Sequence, residues 1–168
     1  MKPYKLRRWR WNDGESSYYF FTCARPGRTG KEESKKAKVP DIVVNNWLSG
    51  LPGPMTAIVS LLGRKPNGMS EYSFYSFYGG YDKPDEQLGR KSFREWLDLH
   101  HSASPIQLLE HPTDDFQKIS DDKLSAASET IADLLHQGHT VILVDSGGQQ
   151  RTYQVCHYMG AIEDSSAH

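Results

Sequence analysis

Thr140-Val-Ile-Leu-Val-Asp145-Ser-Gly-Gly-Gln-Gln-Arg151-Thr152 is the stretch of sequence that decides the fold of this chain. It opens with a continuous apolar run, which is the pattern of a strand buried on both faces of a sheet. A loop that contains two glycines follows, and Arg151 then opens a predicted helix that runs to Met159. Free amide groups and the positive end of the helix dipole would point at the loop centre. The stretch therefore predicts an α/β fold with an anion-binding loop.

The segment before this stretch predicts a strand, a polar turn and a helix. Residues 105–109 are predicted to be a strand, and they lead directly into a turn at residues 110–116 that holds Asp114 and Asp115. A helix is predicted from Ser120, whose hydroxyl can accept a hydrogen bond from a free amide group at the helix start. We therefore expect two adjacent carboxylates on a loop at the exit of a strand.

The first half of the core is predicted to supply two more strands and a helix. Residues 41–50 are predicted to be a strand that Gly50 ends, and residues 56–62 a strand buried on both faces. Residues 63–89 are rich in glycine and aromatic residues, and we interpret them as an irregular or β segment packed on the core rather than an aromatic pocket. A helical spacing of apolar residues begins after Ser92.

The amino-terminal part of the chain is strongly basic. Residues 1–38 hold 11 Lys and Arg against 4 Asp and Glu, and the rest of the chain holds 9 against 17, which gives net charges of +7 and −8. Two runs with basic and aromatic residues, 7–11 and 18–22, flank a turn-rich stretch and predict an edge β-hairpin with basic outward side chains. Residues 25–38 predict a mobile surface loop. We prefer this hairpin interpretation to nucleic-acid binding through phosphate contacts and stacking.

Length and composition favour one domain that comprises residues 1–168, with a hairpin and loop in residues 1–40 and a core in residues 41–168. A chain of 168 residues with 37% hydrophobic content is enough for one buried core. No apolar run approaches membrane-spanning length, so we expect a cytoplasmic protein that does not contact a membrane. The spacing of Cys23 and Cys156 predicts neither a disulfide nor a zinc site, and we expect no metal and no cofactor.

The glycine loop carries a resemblance to a known family. The cysteine-dependent tyrosine and dual-specificity phosphatases have the signature His-Cys-x-x-Gly-x-x-Arg-Ser/Thr. Placed on residues 144–152, this signature matches Gly148, Arg151 and Thr152. Two positions depart from it, because Val144 stands at the histidine and Asp145 at the nucleophilic cysteine.

The order of elements over residues 40–164 resembles the same family. Residues 112–116 look like the mobile loop that carries the family's general acid, and one predicted helix separates them from Asp145. Residues 41–50 resemble the first core strand of the dual-specificity enzymes. The resemblance implies a mostly parallel sheet flanked by helices, to which the basic β-hairpin is an extension.

The family's chemistry implies roles for the matching residues. In that family a thiolate attacks phosphorus, loop amides and an arginine hold the phosphate oxygens, and an Asp protonates the leaving oxygen. Carried over, Asp145 takes the nucleophile position and Arg151 the phosphate clamp. Asp115, or Asp114 if the loop is offset by one, is the acid, and Thr152 assists breakdown of the intermediate. The implied phosphate loop also contains Ser146, Gly147, Gly148, Gln149 and Gln150.

Asp145 sets the functional hypotheses. A carboxylate at the base of an amide cradle repels a phosphate dianion and is itself a good acceptor for those amides and a partner for Arg151. We therefore expect a pseudophosphatase that acts by binding or regulation, with a phosphoprotein or a phosphate-bearing small molecule as its partner. The alternative is an active phosphatase or related hydrolase that uses Asp145, or an engineered variant of a cysteine enzyme. A third hypothesis is nucleic-acid binding through residues 1–38.

Overall fold

A six-stranded mixed β-sheet organises the chain in the structure, which is a computed structural model. The residues that it describes are 2–35, 39, 41–62, 97–99, 105–113 and 117–164. The strands are β1 (Arg7–Asn12), β2 (Ser17–Ala24), β3 (Ala57–Ser60), β4 (Gln107–Glu110), β5 (Val141–Asp145) and β6 (Ile162–Glu163). The α-helices are α1 (Asp41–Ser49), α2 (Asp121–His136) and α3 (Gln150–Met159), and Glu32–Lys35 form a 3₁₀ helix. Residues 97–99 are also helical.

The strands lie in the order β4-β3-β5-β2-β1-β6. The neighbours β4–β3, β3–β5 and β5–β2 are parallel, whereas β2–β1 and β1–β6 are antiparallel. The α/β class with a helix-flanked sheet is confirmed. The two runs predicted as a hairpin do pair, Arg7 opposite Thr22 and Asn12 opposite Ser17.

Helices cover both faces of the sheet, which produces two apolar cores. On one face, Leu143 of β5 packs with Ile131 of α2 and Val155 of α3. On the other face, Ile142 packs with Trp47 of α1. Because side chains alternate along a strand, the side chains of β5 lie alternately in the two cores. The whole strand is buried because both of its faces are covered. The continuous apolar runs predicted to be buried strands are confirmed at β3 and β5.

The helix α2 begins and ends where its sequence signals lie. The Ser120 side chain accepts from the Lys123 amide, and Leu124, Ala127, Ile131 and Leu134 are buried as a stripe three or four residues apart. Gly138 follows with a φ of 87°, a left-handed conformation that glycine adopts without penalty. The predicted capping residue and apolar stripe of this helix are therefore confirmed.

The prediction of a strand at residues 41–50 was wrong, because Asp41–Ser49 form α1. The β-branched residues there favoured a strand, but the buried side chains, Val44 and Trp47, lie three positions apart. The Trp47 indole N–H donates to the carbonyl of Ala24 at 2.9 Å. Packing of one helical face on the sheet, together with this bond, outweighs the local preference.

Two predictions about the amino-terminal segment also need correction. The β-hairpin is not an extension at the sheet edge, since β2 lies between β5 and β1, with Phe20 and Cys23 fully buried. Residues 25–35 are not simply a surface loop, since Arg25 is 3% exposed and its guanidinium donates to the carbonyls of Pro26 and Ser34. Residues 2–35 therefore contribute part of the core.

Several predictions from sequence lie outside the described residues. These are the segment at 63–89, the start of the helix at Ser92, and the two carboxylates Asp114 and Asp115. Leu97, which follows in the predicted helix, is helical and buried in the core on the α1 face. Among the helices that the structure describes, none has the length and apolar character needed to cross a membrane.

Candidate functional site

The loop that follows β5 lies at the carboxyl edge of the parallel strands. After β2 the chain leads to α1 on one face of the sheet, and after β5 it leads to α3 on the other. Neighbouring strands whose connections leave toward opposite faces form a crevice at this edge, which is where open α/β sheets bind ligands. The fold thus places residues 145–152 where a binding site is expected.

The carboxylate of Asp145 fills the centre of this loop. One oxygen, Oδ1, accepts from the Gly148 amide, and Oδ2 accepts from the amides of Arg151 at 2.9 Å and Thr152 at 2.8 Å. Two of these donors are in the first turn of α3, where amide groups have no partner within the helix. The anion that the loop binds is therefore its own side chain, as the sequence predicted for an aspartate at this position.

Burial decides the ionisation of Asp145, which is 1% exposed. Removal from water raises the pKa of its carboxyl group above the ordinary value. The amide hydrogen bonds from Thr152, Gly148 and Arg151, with the positive charge of Arg151, oppose this rise. The carboxyl group is thus held by several donors in a place with almost no access to solvent.

Gly148 is required by the close approach of this loop to β2. Its φ is 77°, and a Cβ atom there would lie 2.4 Å from the backbone nitrogen of Ala24. Gly147, by contrast, has open space around the position of a Cβ. Of the two loop glycines, only the one that matches the phosphatase signature has this steric requirement.

Arg151 is the largest fully buried side chain among the described residues, and it joins the ends of two other strands. Its Nη1 donates to the carbonyl of Leu61, which follows β3, at 3.2 Å. The same nitrogen lies 3.3 Å from Thr113 Oγ1 and 3.4 Å from the Thr113 carbonyl, beyond β4. Thr113 Oγ1 donates in turn to the Leu61 carbonyl at 2.6 Å. These bonds fix three strand ends relative to one another.

The other predicted loop residues differ in exposure. Thr152 is fully buried, and its hydroxyl has no hydrogen-bond partner within the described part of the chain. Ser146 and Gly147 are half-buried, whereas Gln149 and Gln150 are exposed at the start of α3. The structure brings all the predicted residues of the 145–152 loop together, and the predicted acids, Asp114 and Asp115, lie outside the described residues.

Thr113 is the site residue that sequence reasoning missed. It lies within the predicted acid loop, directly before Asp114 in the sequence, and is 3% exposed. A cleft of about 210 Å³ lies beside it, lined by Thr113, Gln117, Lys118, Ile119, Ser120 and Lys123. No local sequence pattern predicts that Thr113 links Leu61 and Arg151, because both partners are distant in sequence.

Neither cysteine can serve as a replacement nucleophile in this geometry. Cys23 and Cys156 are both free and fully buried. Burial, with the nearby charge of Asp145, raises the pKa of both thiols well above the ordinary value. Both thiols therefore stay protonated near neutral pH, as expected for inert core residues.

The chain was compared with protein-family models, with curated proteins and with solved structures, and none of the three comparisons found a match.

Proposed function

We propose that this chain is a phosphatase-like domain whose phosphate loop is closed by its own carboxylate, and that it acts by binding rather than by hydrolysis. The observation that carries the proposal is the set of three amide hydrogen bonds to Asp145. In a phosphate loop such amides hold the oxygens of the ligand. Here the Asp145 carboxylate occupies the position of the ligand oxygens, and its negative charge would repel a phosphate dianion.

Nucleophilic attack by Asp145 is disfavoured by the same contacts. Both carboxylate oxygens accept hydrogen bonds from amides, and the side chain is 1% exposed. A phosphorus atom would have to reach an oxygen that is buried and already hydrogen bonded. We therefore favour the binding function over the alternative in which Asp145 forms a phosphoryl-enzyme.

Support for the phosphatase-like interpretation comes from the loop and the elements around it. The strand, glycine loop and helix follow one another as predicted, and Gly148, the glycine that matches the signature, has a positive φ. The likeness of residues 41–50 to a first core strand no longer contributes, since α1 occupies that segment. The proposal thus depends on residues 145–152 and on the strand that precedes them.

The experiment is a phosphatase assay of the full chain with para-nitrophenyl phosphate and with phosphoinositides. We expect no turnover above the buffer rate. Turnover by the wild type that is lost in Asp145→Asn would contradict the proposal and would establish Asp145 as the reacting group. Asp133→Ala, an exposed acidic position on α2, is the matched control for loss of a carboxylate.

Asp145→Cys tests whether the loop lacks the family's nucleophile alone. In the structure Arg151 Nη1 is engaged by the carbonyls of Leu61 and Thr113. A thiol at position 145 would gain activity only if this guanidinium also contacts phosphate. Activity in Asp145→Cys that is lost in Asp145→Cys/Arg151→Ala would assign Arg151 as the phosphate clamp. An inactive Asp145→Cys variant would show that the loop lacks more than the nucleophile.

A further inference from the structure

One face of the amino-terminal strands presents arginine and aromatic side chains to solvent. The register places Arg8 opposite Phe21 and Arg10 opposite Tyr19, and Arg10 also lies opposite Ile162 of β6. Because paired residues project to the same side of a sheet, these five residues share one surface, which we call the β1–β2 face. Tyr19 is 43% exposed and Ile162 is 61% exposed.

Arg8 is held ready for contact with an anion. Its guanidinium lies 3.9 Å from the centre of the Tyr19 ring. Stacking on an aromatic ring restricts the side chain, so less conformational entropy is lost when the guanidinium binds a carboxylate. Arg10 is exposed and lies two residues after Arg8 on the same strand. Two residues of a β-strand span about 6.8 Å, which is the distance between the positions of Arg8 and Arg10 along β1. Alternate residues of an extended peptide have the same spacing.

The chain itself shows which ligand chemistry suits this part of β1. The short strand β6 pairs with Trp9 and Arg10, and the two acidic residues at its end contact β1 arginines. Glu163 lies 3.0 Å from Arg7, and Asp164 lies 3.5 Å from Arg8. An extended segment with carboxylates is therefore already accommodated at the edge of β1. The Arg8 contact uses Nε, and the guanidinium fork carries further N–H donors on its terminal nitrogens.

A cleft of about 310 Å³ adjoins the β1–β2 face and supplies an apolar contact. Its apolar side chains are Leu6, Phe21 and Pro52, and Lys2, Arg7, Arg8 and Gly50 complete the lining. Arginine and aromatic residues beside a small apolar cleft are the composition enriched at protein interfaces. The apolar side chains of this lining offer a contact to a peptide side chain that a phosphate backbone cannot make, so the composition favours a protein partner over a nucleic acid.

We infer that the β1–β2 face binds an extended acidic segment of a partner protein. Carboxylates at alternate positions of that segment contact Arg8 and Arg10, and an apolar side chain enters the cleft beside Phe21. This inference rests on the proposed function, because the β1–β2 face would be the surface through which a binding protein contacts its partner. It does not involve the loop at Asp145.

The test measures fluorescence anisotropy of a short labelled peptide in which Glu alternates with Thr around one central Phe. Removal of residues 1–38 is not a useful variant, because it would delete β1 and β2 from the sheet. Arg10→Glu and Tyr19→Ala are used instead, since both side chains are exposed. Lys123→Glu makes the same charge reversal at an exposed position on α2 and is the control. Far-UV circular dichroism checks that each variant is folded.

We expect the wild type to bind the peptide in low salt, with binding weakened about tenfold by Arg10→Glu and by less than about twofold by Lys123→Glu. A matching peptide with Lys in place of Glu should not bind. The inference is overturned if Arg10→Glu and Lys123→Glu weaken binding equally, if the wild type does not bind the peptide, or if single-stranded oligo-dT binds more tightly. The phosphatase assay on the same preparations tests the Asp145 loop separately, so failure of either proposal can be recognised without the other.

Discussion

Asp145→Ala is the variant that tests most directly how the loop is built. It leaves three amide groups, of Gly148, Arg151 and Thr152, without the carboxylate that accepts their hydrogen bonds. Leaving a buried donor unsatisfied costs about 1–3 kcal/mol. Release from the cost of burying a charged carboxyl group offsets part of this loss. We expect a net loss of about 2–4 kcal/mol in the free energy of unfolding.

The corresponding fall in melting temperature is roughly 4–16 °C for a domain of this size. Thermal unfolding followed by circular dichroism measures it, with the exposed Asp133→Ala as control. Inorganic phosphate supplies the second part of the test, because it can occupy the amide donors that Asp145 leaves. At a phosphate concentration roughly tenfold above its dissociation constant, binding should restore about 1.4 kcal/mol to Asp145→Ala.

Phosphate also stabilises proteins without binding to a site, so the wild type and Asp133→Ala are measured in the same phosphate series. Sodium chloride at equal ionic strength controls for screening. The reasoning is refuted if Asp145→Ala is as stable as the wild type, because the amide bonds would then contribute nothing. It is also refuted if phosphate raises the melting temperatures of all three proteins equally.

Gly148, Arg151 and the charge of Asp145 give three further tests by urea unfolding. Gly148→Ala should lower the free energy of unfolding by about 3 kcal/mol or more, because of the steric clash with β2 and the positive φ. Gly147→Ala should lower it by less than about 1 kcal/mol. Equal losses in the two variants would exclude the close approach of Gly148 to β2. Arg151→Ala should lower the free energy of unfolding by about 3 kcal/mol, because the bonds to Thr113 and the packing of a fully buried side chain are lost. A loss below about 1 kcal/mol would show that Arg151 does not hold the strand ends together. Folding raises the pKa of Asp145 above 3.8, so the folded state binds this proton more tightly than the unfolded state does. The contribution of Asp145 to stability is therefore complete below about pH 3.8 and is lost as the pH rises through the raised pKa. The stability of the wild type relative to Asp145→Asn should therefore fall as the pH rises above about 4, and a rise would show that the amide bonds outweigh burial.

Sequence and structure agree best where the determining interactions are local. Residues 141–144 form a continuous apolar run that an α/β sheet buries, and Ser120 begins a helix by accepting a hydrogen bond from a residue three positions away. The filling of the loop by Asp145 is also local, because all of its amide donors lie within seven residues of it. Each of these features could be predicted without knowledge of the neighbouring strands.

The segment Asp41–Ser49 shows where local preference fails. Ile42, Val43 and Val44 favour a strand, and no signal within the segment is strong enough to oppose them. The helix forms because Val44 and Trp47 pack on the sheet and because Trp47 reaches the carbonyl at the end of β2. Those contacts are made with residues that are far away in sequence.

The sequence by itself determined the apolar strand, the glycine loop and the carboxylate that lies within it, because these depend on residue type and on hydrogen bonds between near neighbours. Tertiary structure alone decided that β2 lies inside the sheet, and that the Arg151 guanidinium binds the carbonyl of Leu61, 90 positions away. Strand order and the direction of a buried side chain depend on which distant segments pack together. No pattern within residues 145–152 encodes those partners.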